Sequence, residues 1–147
     1  MEKRRDGNVL AEKSWRKSLG GKVLERTRMP YVDGFIVAVP KKNLAAYARM
    51  AKKAGKVWRE HGALDYRECL AEDVKKGKWT SFPRSVKLKT GETVIFSWIT
   101  YKSRKHRDAV LKKVMKDPRL AAMMNPKNVP FDGKRMIYGG FDTIVTA

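Results

Sequence analysis

The chain is poor in cysteine and in acidic residues, and it lacks long apolar runs. Cys69 is its one cysteine, so no internal disulfide can form, which is typical of a reducing compartment. Charges or glycines interrupt every apolar stretch before it reaches the ~20 residues that a membrane-spanning helix needs. The basic N-terminus is not followed by the apolar segment of a secretory signal. These absences favour a soluble cytoplasmic protein with no membrane partner.

Acidic residues number 15 against 34 Lys and Arg, which gives the 147-residue chain a formal net charge of +19. Hydrophobic residues nevertheless make up 42%, which excludes a disordered basic tail as a description of the whole chain. The length suits one domain. The positive charge therefore either serves phosphate contacts or lies on a solvated, lysine-rich surface.

Residues 1–28 differ from the remainder of the sequence. They carry nine basic and four acidic residues, show no strand period, and contain Gly20-Gly21, which interrupts any helix. We expect a basic, disordered N-terminal extension over 1–28 and a single domain over 29–147, with Met29 as a candidate natural start. The domain keeps a net charge of +14, counted from the same sequence.

The domain alternates strand and helix patterns. Period-2 and β-branched runs predict strands, and apolar residues at helical spacing predict helices. The predicted elements are strands over Tyr31–Val39, Leu64–Leu70, Thr93–Tyr101 and Lys134–Val145; helices from the Asn43 cap to about His61 and from the Ser103 cap to about Lys116; and a helical turn over Arg119–Met124. The second helix should turn Val110, Leu111, Val114 and Met115 inward. A basic insertion over 71–92 should be tied to the body by Trp79 and Phe82. The order β-α-β-β-α-β predicts an α+β fold of the ferredoxin-like plan.

Three of the four strands carry apolar residues on both faces. In Thr93–Tyr101, Phe96 and Trp98 share one face, and Ile95 and Ile99 share the other. Two helices can cover only one face of a four-stranded sheet, and the other would be a larger apolar patch than monomers usually expose. The alternation therefore predicts a homodimer through the uncovered sheet face.

Six segments of the domain resemble the YbaA-like family of bacterial domains of unknown function: residues 31–37 (YVDGFIV), 57–69 (VWREHGALDYREC), 80–84 (TSFPR), 96–99 (FSWI), 117–119 (DPR) and 130–141 (PFDGKRMIYGGF). The resemblance runs from Met29 to Ala147. It implies the dimeric α/β-barrel superfamily, whose wider membership includes small cofactor-independent monooxygenases, haem-degrading enzymes and stress-responsive proteins. It supplies no catalytic residues to carry over.

His61 and Glu68 are the candidate catalytic residues. His61 ends the first predicted helix and can act as a general base, or it can contact the carbonyls of the helix end. Glu68 and Arg67 point to opposite faces of a strand, so one of them faces the core, where a charge needs a partner. The predicted partners of Glu68 are His61, Arg84 and Arg135.

Aromatic residues extend this candidate site. The predicted ligand pocket comprises Trp58, His61, Arg67, Glu68, Trp98 and Tyr138, and it would take a small aromatic or hydrophobic molecule. Core or dimer contacts are the favoured explanation of the aromatic members and need no ligand. Whether a reaction of an oxygenase-like or stress-related kind takes place stays open. No metal-ligand spacing occurs, so neither a metal nor a cofactor is predicted, and Cys69 is expected to be structural.

Basic residues at helical spacing give an alternative function. They are Arg49, Lys52, Lys53 and Lys56 on the first helix and Lys105, Lys112, Lys113 and Lys116 on the second. Such stripes can bind the phosphates of RNA or another nucleic acid, and they also fit a solvated surface. The alternative is less favoured than the small-molecule ligand because the string of an RNA-recognition domain is missing.

Overall fold

Four strands form one antiparallel sheet in the computed structural model, which describes residues 29–147. Within this range β1 is Tyr31–Pro40, β2 is Asp65–Leu70, β3 is Glu92–Tyr101 and β4 is Ile137–Asp142. The strand order is β2-β3-β1-β4, and every neighbouring pair is antiparallel. The predicted extension over 1–28 lies outside the described residues. The α+β class is confirmed.

The two predicted helices and the predicted helical turn occur in order, and one further short helix forms in the insertion where none is predicted. The helices are α1 (Leu44–Glu60), α2 (Phe82–Ser85), α3 (Arg104–Val114) and α4 (Pro118–Met123), with 3-10 turns at Lys41–Asn43 and Gly133–Arg135. Ser103 caps α3 as predicted, because its Oγ accepts a hydrogen bond from the backbone N–H of His106 at 3.0 Å. Asn43 does not cap α1 with its side chain. Its Nδ2 instead donates to the Pro130 carbonyl at 3.1 Å.

The last strand is shorter than the apolar pattern predicts. The pattern indicates Lys134–Val145, whereas β4 covers only Ile137–Asp142. Arg135 explains the late start, since its Nη1 and Nη2 donate to the two carboxylate oxygens of Glu92 at 2.8 and 2.6 Å. This bidentate pair holds the 3-10 turn at Gly133–Arg135 against β3.

The core lies between the sheet and the two long helices. α1 contributes Tyr47, Ala51 and Val57 to it, and α3 contributes Val110 and Val114, all of them buried. The prediction that Met115 points inward is wrong, because α3 ends at Val114 and the Met115 side chain is 64% exposed. The helices therefore cover one sheet face, called here the helix face.

The insertion covers part of the opposite face. Val86 is fully buried there and packs with Ala38 and Val94. The ring centroids of Phe82 and Phe96 lie 5.7 Å apart, which confirms Phe82 as an anchor of the insertion. Trp79 is 86% exposed, so its predicted anchoring role is wrong.

The remainder of that opposite face, called here the far face, stays open to solvent in the single chain. Phe96 and Ile137 share it with Phe141, whose side chain is 63% exposed. The Phe141 ring covers the paired glycines Gly34 and Gly139, since its Cε2 is within 3.7 Å of where a Cβ on either would sit. The prediction that both sheet faces are apolar is confirmed.

Gly55 allows α1 to approach β2 closely. A Cβ built at Gly55 would lie 2.8 Å from Cδ1 and 3.0 Å from Cε1 of Tyr66. Such distances require the Tyr66 ring to move, and the ring is held by a hydrogen bond from its hydroxyl to Glu68. The absence of a side chain at position 55 therefore determines the separation of helix and strand.

We expect Gly55→Ala to lower the free energy of unfolding by up to about 2 kcal/mol, because overpacking costs about 1–3 kcal/mol and alanine gains only ~1 kcal/mol over glycine in a helix. Urea denaturation followed by circular dichroism measures the change. Gly133→Ala is the matched control, since no atom lies within 4 Å of its Cβ position. Equal stability of the Gly55→Ala and wild-type proteins would contradict the expectation.

Candidate ligand-binding site

Glu68 lies on the helix face of β2, and hydroxyl groups satisfy its carboxyl group. Tyr47 of α1 donates its hydroxyl hydrogen to Oε2, and Tyr66 of β2 donates to Oε1, each at 2.9 Å. Ser97, the partner of Glu68 across the β2–β3 pair, supplies a third hydroxyl contact. The bonds from Tyr47 and Tyr66 define what is called here the Glu68 cluster.

The cationic partners predicted for Glu68 are engaged elsewhere. Arg135 pairs with Glu92, and Arg84 donates from Nε and Nη2 to the Gly77 carbonyl. His61 contacts Asp117, with 2.8 Å between Nε2 and Oδ2. The Glu68 carboxyl group is therefore held by neutral donors, and neither Arg84, Arg135 nor His61 compensates its charge.

Burial controls the titration of this cluster. It raises the pKa of Glu68 above 4.5, and the three hydroxyl contacts oppose that rise. Burial, together with the Glu68 charge, also raises the pKa of Tyr47 and of Tyr66 well above 10.0. Both phenols are consequently protonated donors at neutral pH.

An apolar cavity of about 140 Å³ lies behind the cluster, between the helices and the sheet. It is called here the inner chamber. Its lining residues are Phe35, Val37, Tyr47, Met50, Ala54, Trp58, Tyr66, Arg67, Glu68, Ser97, Ile99, Leu120, Met123, Met124, Phe131 and Met136. Four of the chain's seven methionines belong to this set. Among these described lining residues Glu68 is the one acidic group.

A wider space of about 620 Å³, called here the outer groove, runs between α1 and the edge strand β2. Its lining residues are Leu44, Tyr47, Ala48, Ala51, Lys52, Gly55, Lys56, Arg59, Asp65, Tyr66, Glu68, Leu70 and Ile95. Tyr47, Tyr66 and Glu68 line both spaces. The Glu68 cluster is thus the partition between the groove and the chamber.

The six residues of the predicted pocket separate into two groups. Trp58, Arg67 and Glu68 line the inner chamber, and the Arg67 side chain is exposed, with its Nε bonded to Asp65. The others, His61, Trp98 and Tyr138, do not line it within the described residues. Trp98 belongs to the far face, and Tyr138 stacks on Phe35 near the exposed edge of the sheet.

His61 joins the end of α1 to the start of α4. Asp117 accepts hydrogen bonds from the backbone and side chain of Arg119 as well as from His61. These bonds hold the pKa of Asp117 well below its usual range. Because Arg119 also pairs with Glu60 at 2.8 Å, His61 is part of an ion-pair network between helices rather than of the chamber.

Tyr47 and the methionines are the residues that sequence reasoning missed at this site. Tyr66 could have been found from the i, i+2 spacing that puts it on the same strand face as Glu68. Tyr47 lies on the buried side of α1, but nothing in its spacing indicates which strand residue it meets. Met50, Met123, Met124 and Met136 come from separate segments that only the tertiary fold brings together.

The basic side chains of the predicted phosphate-binding stripes are exposed. This holds for all eight residues, Arg49, Lys52, Lys53, Lys56, Lys105, Lys112, Lys113 and Lys116. Every salt bridge formed within residues 29–147 uses an arginine or His61, and none uses a lysine. The lysines of residues 29–147 therefore contribute positive charge that no carboxylate of the same range contacts.

Two further features bear on the function class. Among residues 29–147 no cluster of three or more His, Cys, Asp or Glu side chains could hold a metal ion. In the same range, no helix has the length and apolar character needed to cross a membrane.

Comparison with known proteins identifies the family. Residues 30–133 match a family described as "Protein of unknown function (DUF1428)". The chain belongs to this DUF1428 family. The proteins named "Uncharacterized protein YbaA" from Escherichia coli K12 and from Shigella flexneri are each 51% identical to it over 117 residues, which is 80% of this chain and 98% of the relative. The YbaA-like resemblance is confirmed, and the Glu68 cluster lies inside the matched DUF1428 region.

We expect Glu68→Gln to reveal the raised pKa of Glu68 in the pH dependence of stability. A carboxyl group with a raised folded-state pKa contributes its full stability below its unfolded pKa, near 4.5, and this contribution is lost as pH rises through the folded value. The free energy of unfolding of wild type minus that of the variant should therefore fall as pH rises above 4.5. Urea denaturation across a pH series measures it.

Glu92→Gln is the control of opposite sign. Its hydrogen bonds from Arg135 lower the pKa of Glu92, so its contribution is present above 4.5 and is lost as pH falls through the folded value. The free energy of unfolding of wild type minus that of Glu92→Gln should therefore rise with pH. A flat or rising difference for Glu68→Gln would contradict the assignment.

Proposed function

We propose that the protein binds a small aromatic or hydrophobic molecule in the inner chamber, with the Glu68 cluster as its polar contact. The observation that carries the proposal is an apolar cavity whose one acidic group is held by hydroxyls at its boundary. Binding sites for small organic molecules combine mostly apolar walls with a few placed polar groups. Glu68, Tyr47 and Tyr66 fit that description.

The size of the chamber limits what it can hold. An apolar cavity of about 150 Å³ accommodates a benzene molecule, and the inner chamber measures about 140 Å³. One six-membered ring therefore fits. Methionine side chains adapt to irregular shapes and make favourable contacts with aromatic rings, so the lining by Met50, Met123, Met124 and Met136 supports an aromatic occupant.

Any reaction at this site would depend on Glu68 rather than His61. Glu68 lines the chamber and has a raised pKa, as a general acid or base requires, whereas His61 is bonded to Asp117. An oxygenase-like or stress-related activity would therefore use the Glu68 carboxyl group. Ligand binding alone needs no such step and is the simpler proposal.

We also propose that the fold is ferredoxin-like and that two copies form a dimeric α/β barrel through their far faces. The strand order β2-β3-β1-β4 with antiparallel neighbours supports the topology. Exposed Phe96, Ile137 and Phe141 support the contact, since burial of each such side chain contributes about 1.5–3 kcal/mol. The inner chamber is on the helix face and would stay accessible in this dimer.

We expect wild-type protein at micromolar concentration to elute as a dimer and Phe141→Lys to elute as a monomer, because a charge at that position cannot be buried unpaired. Size-exclusion chromatography with light scattering measures the mass. Met115→Lys is the matched control, since Met115 is 64% exposed and Phe141 is 63% exposed, but Met115 follows α3. A wild-type monomer, or a Phe141→Lys dimer, would contradict the arrangement.

Nucleic-acid binding remains the second candidate function. The exposed lysines of α1 and α3, which form no salt bridge with another residue of the described range 29–147, favour it. It ranks below ligand binding because exposed lysines also occur on any solvated basic surface. An apolar chamber with one hydrogen-bonded carboxyl group is more specific, since that combination is typical of ligand-binding sites.

We expect Ala54→Leu to abolish the binding of benzene, because the larger side chain fills the chamber that Ala54 lines. NMR titration of the full chain with benzene should show saturable shifts for wild type and none for the variant. Ala45→Leu, an exposed change on the same helix, is the control and should bind as wild type does. Absence of binding to wild type, or equal binding to Ala54→Leu, would refute the proposed function.

A further inference from the structure

We infer that the ligand is an anionic amphiphile, an aromatic ring joined to an acidic group, with the ring in the inner chamber and the acid in the outer groove against Lys52 and Lys56. This inference rests on the proposed function and deepens it by naming the class of ligand.

The two spaces lie side by side, and the Glu68 cluster separates them. Tyr47, Tyr66 and Glu68 line both of them, so a molecule that reaches past this partition occupies the chamber and the groove together. The chamber has room for one ring, whereas the groove, at about 620 Å³, lies within the ~300–1,000 Å³ range of ligand pockets. A ligand longer than one ring therefore extends into the groove.

The charges of the groove favour an anion. Lys52 and Lys56 lie one helical turn apart on α1, both exposed and both lining the groove. Within residues 29–147 neither forms a salt bridge. On the facing strand Asp65 is paired with Arg67, with 3.1 Å between Oδ2 and Nε.

Arg59 is the third cationic residue that lines the groove, but its guanidinium group is hydrogen-bonded to backbone carbonyls. Its Nη1 donates to the Ala63 and Leu64 carbonyls, which places the guanidinium at the end of α1. The two lysines are therefore the cations of the groove with neither a carboxylate nor a carbonyl partner among the described residues.

The orientation of the ligand follows from Glu68. An acidic group placed beside this carboxyl would be repelled whenever Glu68 is ionised, and it would also be desolvated among apolar side chains. The acid therefore lies at the exposed lysines, and the apolar part contacts Ala51, Ile95 and the chamber beyond the partition. This places opposite ends of the ligand in environments of opposite polarity.

Three probes with the same ring and chain test the inference: 4-phenylbutyrate, 4-phenylbutanol and 4-phenylbutylamine. Calorimetric titration of the full-length protein at low salt should give the order anion, alcohol, amine from tightest to weakest. Exposed charge pairs contribute about 0.2–1 kcal/mol each, so two lysines should favour the anion over the alcohol by about two- to thirtyfold. High salt should reduce this preference.

The Lys52→Gln/Lys56→Gln variant should lose the preference for the anion and still bind the alcohol. Arg49→Gln/Lys53→Gln is the matched control, with the same charge loss and spacing on the same helix but outside the groove lining, and it should keep the preference. Equal binding of anion and alcohol to wild type, or equal loss in both variants, would overturn the inference and leave the proposed function standing.

Two other outcomes also have a definite meaning. Failure of all three probes to bind to protein that does bind benzene would overturn the inference, and failure of benzene as well would refute the proposed function. Displacement of 4-phenylbutyrate by a single-stranded oligonucleotide, lost only in the Lys52→Gln/Lys56→Gln variant, would assign these lysines to nucleic acid and overturn the inference.

Discussion

The hydrogen bonds that a partly buried carboxyl group requires hold the first helix against the sheet. Glu68 accepts these bonds from the hydroxyl of Tyr47 on α1 and from that of Tyr66 on its own strand. The helix must therefore lie close to the edge strand, and Gly55 leaves the space that this approach requires. The same bonds that hold the helix to the sheet thus form the wall between chamber and groove.

The order and type of the elements were predictable because their signals are local. Alternating apolar residues determine strand faces, and Ser103 can reach its cap partner within three residues. The errors arose where a residue distant in sequence determines the contacts of a side chain. Asn43 donates to Pro130, 87 residues away, instead of capping α1, and Arg135 delays β4 by pairing with Glu92. Trp79 is a large aromatic residue of the kind that usually packs against a core, but in this structure it is 86% exposed.

The candidate site was predictable to a similar extent. Strand alternation indicates that either Glu68 or Arg67 faces inward, and the structure places Glu68 there with hydroxyl partners instead of the expected cations. His61 and Asp117 are 56 residues apart, and their contact depends on how α4 meets α1. Spacing along the chain does not predict such a pairing, so the sequence alone could not show that His61 lies outside the ligand-binding site.

The sheet is one backbone layer thick, and neighbouring residues of the same strand serve its two sides. Ser97 contacts the Glu68 carboxyl group while Trp98 belongs to the far face, and Ile137 and Tyr138 divide in the same way. A single-residue insertion or deletion in the middle of β3 would exchange the two sides. Only the residues on one side of the change would shift, so either Ile95 or Ile99 would leave the core and an aromatic ring of that half would turn toward the carboxyl group. The length of β3 is therefore constrained more tightly than the identity of most of its residues.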